Sequence, residues 1–277
     1  MQNVISRGKA AVVAVGVVVL TVILSGCLQS QTVVNVNGDG SGTVEETFLM
    51  QQQVLQMLAG MSEGSGFSLL DEAELESDAS DYGEGVTLQS AEEVNTDWGG
   101  GYRAVYSFED VNQVKINQNP SNDVPAQGAQ MGPDQPRAEE YIRFEMDSGQ
   151  PNTLDVILPE QGDAELESQN EAEGNGSAET GDVAQQEIES LAELYRDMRI
   201  SVDVMVDGRI VDTDATHVEG NTVTLLDMDF NRIIERPEML EELASREAGT
   251  ITEVQQTVND IPGIKVEVQP RVRVRFQ

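Results

Sequence analysis

Cysteine, histidine and lysine are nearly missing from this sequence: 277 residues hold one cysteine, one histidine and three lysines. A lone cysteine, Cys27, cannot close an internal disulfide. With one histidine beside it, nitrogen and sulfur ligands are too few for a zinc site. Any nucleophile–histidine triad would have to use His217, and no GxSxG elbow supplies a serine for it. His217 fits a sheet edge or hairpin better. No lysine or arginine lies between Lys9 and Arg103. The chain therefore lacks the basic patches that bind phosphate backbones through counterion release, and nucleic acid is not an expected partner. Long apolar runs are absent too, except for one near the start.

That run, Ala10 to Leu24, follows Arg7 and Lys9 and leads into Leu24, Ser25, Gly26 and Cys27. It is short for a membrane span of ~20 residues, and small residues before a cysteine suit a signal peptidase. The pattern is a lipobox. It predicts a lipoprotein signal peptide over 1–26, cleavage after Gly26, and attachment of Cys27 to a diacylglycerol through a thioether. More than one acyl chain anchors durably where a single chain does not. An uncleaved anchor helix is the other possibility, and both put residues 28–277 outside the cytoplasm. Leu28 is not the aspartate that retains many lipoproteins at an inner membrane. The expected location is therefore an outer membrane where the cell has one, and otherwise the outer face of the cell membrane.

Acid dominates the rest. Formal net charge is −34, and removal of residues 1–26 takes away two bases and no acids. Such a chain repels itself in dilute salt, whereas at about 1 M salt the Debye length falls to ~3 Å and the repulsion fades. The acidity and the preference for arginine over lysine resemble proteins of extreme halophiles. Fifty carboxylates also make paired acids common by chance, so carboxylate-only hydrolysis has no distinctive signature here.

Residues 27–30 read as a lipid-anchored tether and 31–277 as a single α+β domain, a mostly antiparallel sheet with amphipathic helices packed on one face. Two stretches, 117–138 and 160–181, are polar or acidic excursions that cannot bury a core. Alternating apolar residues predict strands. Three hairpins are expected: Ile142–Met146 with Leu154–Leu158, Ile200–Val206 returning through Asp207 and Gly208, and Ile264–Val268 returning through Gln269 and Pro270. Gly220 and Asn221 turn into a strand at Thr222, and Tyr102, Ala104, Tyr106 and Phe108 form another inward face. Helical spacing marks Val54, Leu55, Leu58 and Met61; Ile188, Leu191 and Tyr195; Met239, Leu240, Leu243 and Ala244; and Ile251 to Ile261 behind the capping box Thr250–Glu253.

Three stretches, Gly101–Pro120, Met198–Phe230 and Ile261–Phe276, together resemble a family of uncharacterised bacterial lipoproteins. The likeness rests on the lipobox, the turn Asp39–Gly42, the segment Tyr106–Asn112 and the double strand Gly208–Leu225, about two fifths of the chain. It implies a fold and no activity. A fainter likeness, confined to the opening strand–turn–strand, is to LppM-like lipoproteins that contact lipids.

Two motifs carry a possible chemistry. Asn35, Asn37, Asp39, Ser41 and Glu46 have the oxygen spacing of a calcium loop. Strand-forming flanks and the glycines around Asp39 favour a hairpin instead. Arg271, Arg273 and Arg275 alternate with apolar residues and project from one sheet face. They can hold an anion or phospholipid headgroup, or neutralise carboxylates such as Glu267, Asp203 or Glu145 on neighbouring strands. No cofactor and no catalysis are expected. The sequence is most consistent with a non-enzymatic envelope lipoprotein held to the membrane by its N-terminal lipid and binding a protein or other envelope component. The alternatives are a carrier or sensor of a lipid-like ligand between helices and sheet, and a carboxylate-dependent hydrolase.

Overall fold

The computed structural model describes residues 28–61, 68–117, 141–159, 195–236 and 259–277. The signal peptide expected over 1–26, Cys27, the stretches 118–138 and 160–181, and the helices expected around Ile188, Met239 and Thr250 lie outside these residues.

Strands dominate, and they form two sheets. Leu28–Val36 (β1) and Gly42–Gln51 (β2) pair as an antiparallel hairpin with Val34 opposite Val44. Thr87–Asn95 (β3) and Gly99–Phe108 (β4) form a second hairpin whose β4 pairs along β2. Lys115–Asn117 (β5), Tyr141–Asp147 (β6) and Asn152–Ile157 (β7) begin the smaller sheet. Arg199–Val206 (β8) returns to the larger one and runs parallel to β1. Ile210–Thr213 (β9) belongs to the smaller sheet, whereas Val218–Glu219 (β10), Thr222–Asp229 (β11) and Lys265–Val266 (β12) extend the larger. Arg271–Phe276 (β13) sits between β7 and β9. The order is β10-β11-β8-β1-β2-β4-β3, with β12 on β11, in one sheet and β5-β6-β7-β13-β9 in the other.

Alternation explains the layers. Along β2, Val44, Phe48 and Met50 are buried, as are Tyr102, Ala104, Tyr106 and Phe108 along β4. The smaller sheet contributes Ile142, Phe144, Leu154, Val156, Val272, Val274 and Phe276 to the same contiguous core. Burying each such side chain stabilises the fold by about 1.5–3 kcal/mol. Helices pack against this core too. Gln52–Met61 (α1) continues directly from β2 and buries Val54. Glu72–Asp78 (α2) is capped by Asp71, whose side chain accepts from the N–H groups of Ala73 and Glu74, and it buries Leu75. A short helix, Phe230–Ile234 (α3), places Ile233 in a satellite cluster with Ile261, Ile264 and Val266. The architecture is thus α+β and mostly antiparallel.

Three sequence expectations need correction. The segment expected as a tether is structured: Leu28 and Ser30 are already in β1, buried, and paired opposite Met50 and Phe48. The turns at Asp207–Gly208 and Gln269–Pro270 do not close hairpins. At the first, β8 lies in the larger sheet and β9 in the smaller; at the second, β12 pairs with β11 whereas β13 pairs with β7 and β9. Each turn is a corner where the chain changes layers, and a local turn signal cannot tell which sheet the next strand joins. The hairpin of β6 and β7 forms as expected, with Phe144 opposite Val156 and Met146 opposite Leu154.

Candidate functional site

The loop Asn37–Ser41 is a hairpin connection. Asn37 N–H donates to the Ser41 carbonyl at 2.8 Å, Gly40 N–H donates to the Asn37 carbonyl at 3.0 Å, and Gly40 takes a positive φ of 89°. Its side chains satisfy one another: Asp39 accepts from both the N–H and the hydroxyl of Ser41, which holds its carboxyl below the usual range. Asn35 donates to Thr43 Oγ1, and Asn37 to Ser41 Oγ. Glu46 points the other way. It is buried in the core, where Tyr82 Oη donates to it at 2.9 Å and Tyr102 Oη at 3.4 Å. The five oxygens of the calcium pattern therefore do not converge.

The arginine stripe is met by acids. On β13, Arg271 reaches Glu145 and Asp155 at 3.0 Å each; Arg273 binds Asp155 through Nε at 2.7 Å and Nη2 at 3.0 Å; Arg275 lies 3.7 Å from Asp212. The hydrogen bond from Arg273, together with its charge and that of Arg271, holds the Asp155 carboxyl below its ordinary value. Of the carboxylates expected to neutralise the stripe, Glu145 does so, while Asp155 and Asp212 take the places of Glu267 and Asp203. The sheet order explains the exchange, since β13 is flanked by β7 and β9.

Glu267 and Asp203 have other roles. The Glu267 carboxylate, 1% exposed, accepts from Thr216 N–H at 2.7 Å, Thr216 Oγ1 at 3.0 Å, and the N–H groups of Val268 and Gln269 at 3.1 Å. It clamps the corner between β12 and β13. Asp203, half-buried on β8, accepts from Thr224 Oγ1 at 2.7 Å, and burial pushes its pKa up. His217 precedes the edge strand β10, and its carbonyl accepts from Thr224 N–H at 3.0 Å. These buried acids lie at separate places and are bound up in structural hydrogen bonds.

One region is built differently. Gly99, Gly100 and Gly101 open β4, and α1 lies across them: a Cβ on Gly100 would stand 3.3 Å from Leu55 Cδ1. Beside this contact is a cleft of about 200 Å³, with Leu55, Ala59 and Leu69 as apolar wall and Gln52, Gln56, Glu93 and Asn95 as polar rim. It is smaller than the roughly 300–1,000 Å³ of ordinary small-molecule pockets. The cleft adjoins β3, the end strand of the larger sheet. Among the described residues no strand pairs with the outer side of β3, and Gln89, Ser90, Glu92, Glu93 and Asn95 are exposed. Sequence reasoning missed β3. Its partly covered residues, Leu88, Ala91 and Val94, fall at steps of three: a register shift between Leu88 and Ser90 accounts for the first step, whereas Ala91 and Val94 lie on opposite faces of regular strand.

Cross-strand register links this region to the N-terminus. Leu28 is opposite Met50, Met50 opposite Gly100, and Gly100 opposite Asn95. Four neighbouring strands at about 4.8 Å spacing put Leu28 within roughly 15 Å of the cleft.

The fold and this site define a two-sheet α+β body with an open edge strand and a small adjoining cleft. Compared by sequence, the chain matches no protein-family model and no curated protein. Among solved structures it is similar to the folded domain of the Mycobacterium tuberculosis LppM protein, determined by NMR, with 9% identity over 92% of each chain and a TM-score of 0.35. It is also similar to an M1 zinc metallopeptidase from Deinococcus radiodurans, with 9% identity over 76% of this chain and 42% of that one and a TM-score of 0.22. Both likenesses are faint. No described helix is long and apolar enough to cross a membrane.

Proposed function

We propose that this chain is a non-enzymatic, lipid-anchored extracytoplasmic module that binds another protein of the cell envelope at the α1–β3 end of its larger sheet. The observation that carries the reading is the shared row Leu28–Met50–Gly100–Asn95. A lipid on Cys27 would hold the exposed edge and its cleft close to the membrane surface, with β1 beginning at the next residue. The rest of the molecule supports binding over catalysis, because the buried carboxylates of Glu46 and Glu267 serve phenols and backbone amides. Among the described residues one contiguous apolar core joins the two sheets and the cleft beside α1 holds about 200 Å³, which favours a docking site over a lipid carrier.

The test joins mass spectrometry of the mature N-terminus to photocrosslinking from Gln56, on the cleft rim, in intact cells at native salt. The expected result is a diacylglyceryl-modified Cys27 and a reproducible protein adduct at Gln56. Retention of residues 1–26, or the absence of a protein adduct at Gln56, overturns the proposal.

A further inference from the structure

We infer that the binding mode is strand addition: an extended, basic segment of a different envelope protein pairs along β3 and places one long cationic side chain in the cleft beneath α1. The inference rests on the binding role proposed above and names its partner chemistry. Sheet edges expose unpaired N–H and C=O groups, and proteins blunt them with short strands, charged side chains, proline, bulges or a covering element. Among the described residues three sheet edges carry only short strands: β10 and β12 of two residues each, β5 of three and β9 of four. The fourth, β3, runs for nine residues, Thr87–Asn95, without lysine or proline; its bulge lies near one end, between Leu88 and Ser90, and Ser90–Asn95 pairs regularly with β4. Main-chain pairing along such an edge supplies affinity, and pockets for alternate side chains supply specificity.

Charge selects the partner. Glu92 and Glu93 are exposed on β3 in a chain whose formal charge is −34. Arg103 reaches Glu92 only at 3.7 Å, its closer partner being Glu45 at 2.7 Å. A second copy of the chain would bring a further large negative charge to this edge, whereas a lysine- or arginine-bearing strand would relieve it. The cleft has matching chemistry. Leu55 and Leu69 can cover the methylene stem of a long basic side chain while Glu93, on the rim, receives its head.

The probe is a capped ten-residue peptide of alternating valine and arginine, with a valine–glutamate counterpart as control, titrated into the full mature chain. Amide hydrogen exchange is followed residue by residue. The expected result is saturable binding that slows exchange within Thr87–Asn95. It weakens at least tenfold for the glutamate peptide and for the double variant Glu92→Lys, Glu93→Lys, whose retained cooperative melting transition shows an intact fold. Binding without added protection on β3, binding indifferent to the double variant, or a homodimer paired through β3 overturns the inference. Envelope crosslinks that arise from Gln56 and never from Gln89 or Ser90 sink strand addition while leaving the proposed binding role in place.

Discussion

Thr216 donates both its backbone N–H and its hydroxyl to the buried carboxylate of Glu267. Together with the amides of Val268 and Gln269 it completes a four-donor cradle at the corner where the chain leaves the larger sheet for the smaller. Glu267→Gln presents a donor where an acceptor is required. It is expected to cost about 1–3 kcal/mol, the penalty for leaving a buried polar group unmatched. Thr216→Ala should cost less, since the backbone donor survives. Chemical denaturation of the two variants at neutral pH gives the ranking, and equal stability of Glu267→Gln and the parent chain would contradict the cradle.

Asp155 ties β7 to Arg271 and Arg273 on β13. Because its folded pKa is lowered, its contribution is complete above the ordinary value of about 3.9 and is lost as pH falls through the lowered folded value. Asp155→Asn should lower stability at pH 7 by about 1 kcal/mol, an effect partly screened in concentrated salt. Its acid denaturation should also be shallower than that of the parent. Stability measured across pH 2–7 checks both statements.

Asp203 carries the opposite sign. Burial raises its folded pKa, so the charged form is a burden at neutral pH that disappears as pH falls through the raised folded value toward about 3.9. Asp203→Asn keeps an oxygen to accept from Thr224 and removes the charge. It should raise the denaturation midpoint at pH 7 and confer nothing below about pH 4.

Gly100 is the point of closest approach between β4 and α1, with Leu55 Cδ1 at 3.3 Å and Asn95 Oδ1 at 3.0 Å from a notional Cβ. Gly100→Val should push α1 outward at a cost of about 1–3 kcal/mol, the usual range for overpacking. It should also abolish crosslinking from Gln56. A variant of unchanged stability and unchanged crosslinking would show that the cleft is neither tight nor used.

Added salt should stabilise the whole molecule. Raising KCl from about 0.1 to about 1 M shortens the Debye length from ~10 to ~3 Å, and the melting temperature should climb as self-repulsion among exposed acids fades. A flat or falling melting curve would mean that the lost arginine–carboxylate attraction outweighs the relieved repulsion.

How much of this was legible in the sequence differs from element to element. Phe144 opposite Val156 and the inward face of Tyr102, Ala104 and Tyr106 were, because a period of two survives wherever one face is dry. So was the turn at Asp39, from its glycines. The corners at Gly208 and Pro270 carry the same residues as hairpin turns, and only the pairing of β9 and β12 with distant strands distinguishes them. The edge strand β3 has no fully buried residue to pattern it, and its irregularity at Gln89 together with partial cover on both faces gave Leu88, Ala91 and Val94 a spacing closer to helical. The cleft depends on α1 crossing Gly100, a tertiary fact with no local signal. The arginine stripe was legible as a stripe, but its partners Asp155 and Asp212 required knowing which strands flank β13.

The central place of Arg271–Phe276 in the smaller sheet has a consequence for folding. A chain synthesised from its N-terminus completes β6, β7 and β9 well before the strand that pairs with both β7 and β9. Until it arrives, Leu154 and Val156 lack their cross-strand neighbours Val274 and Val272. Removal of Val272 to Phe276 should therefore leave a product that aggregates or is degraded rather than a slightly shortened, folded domain.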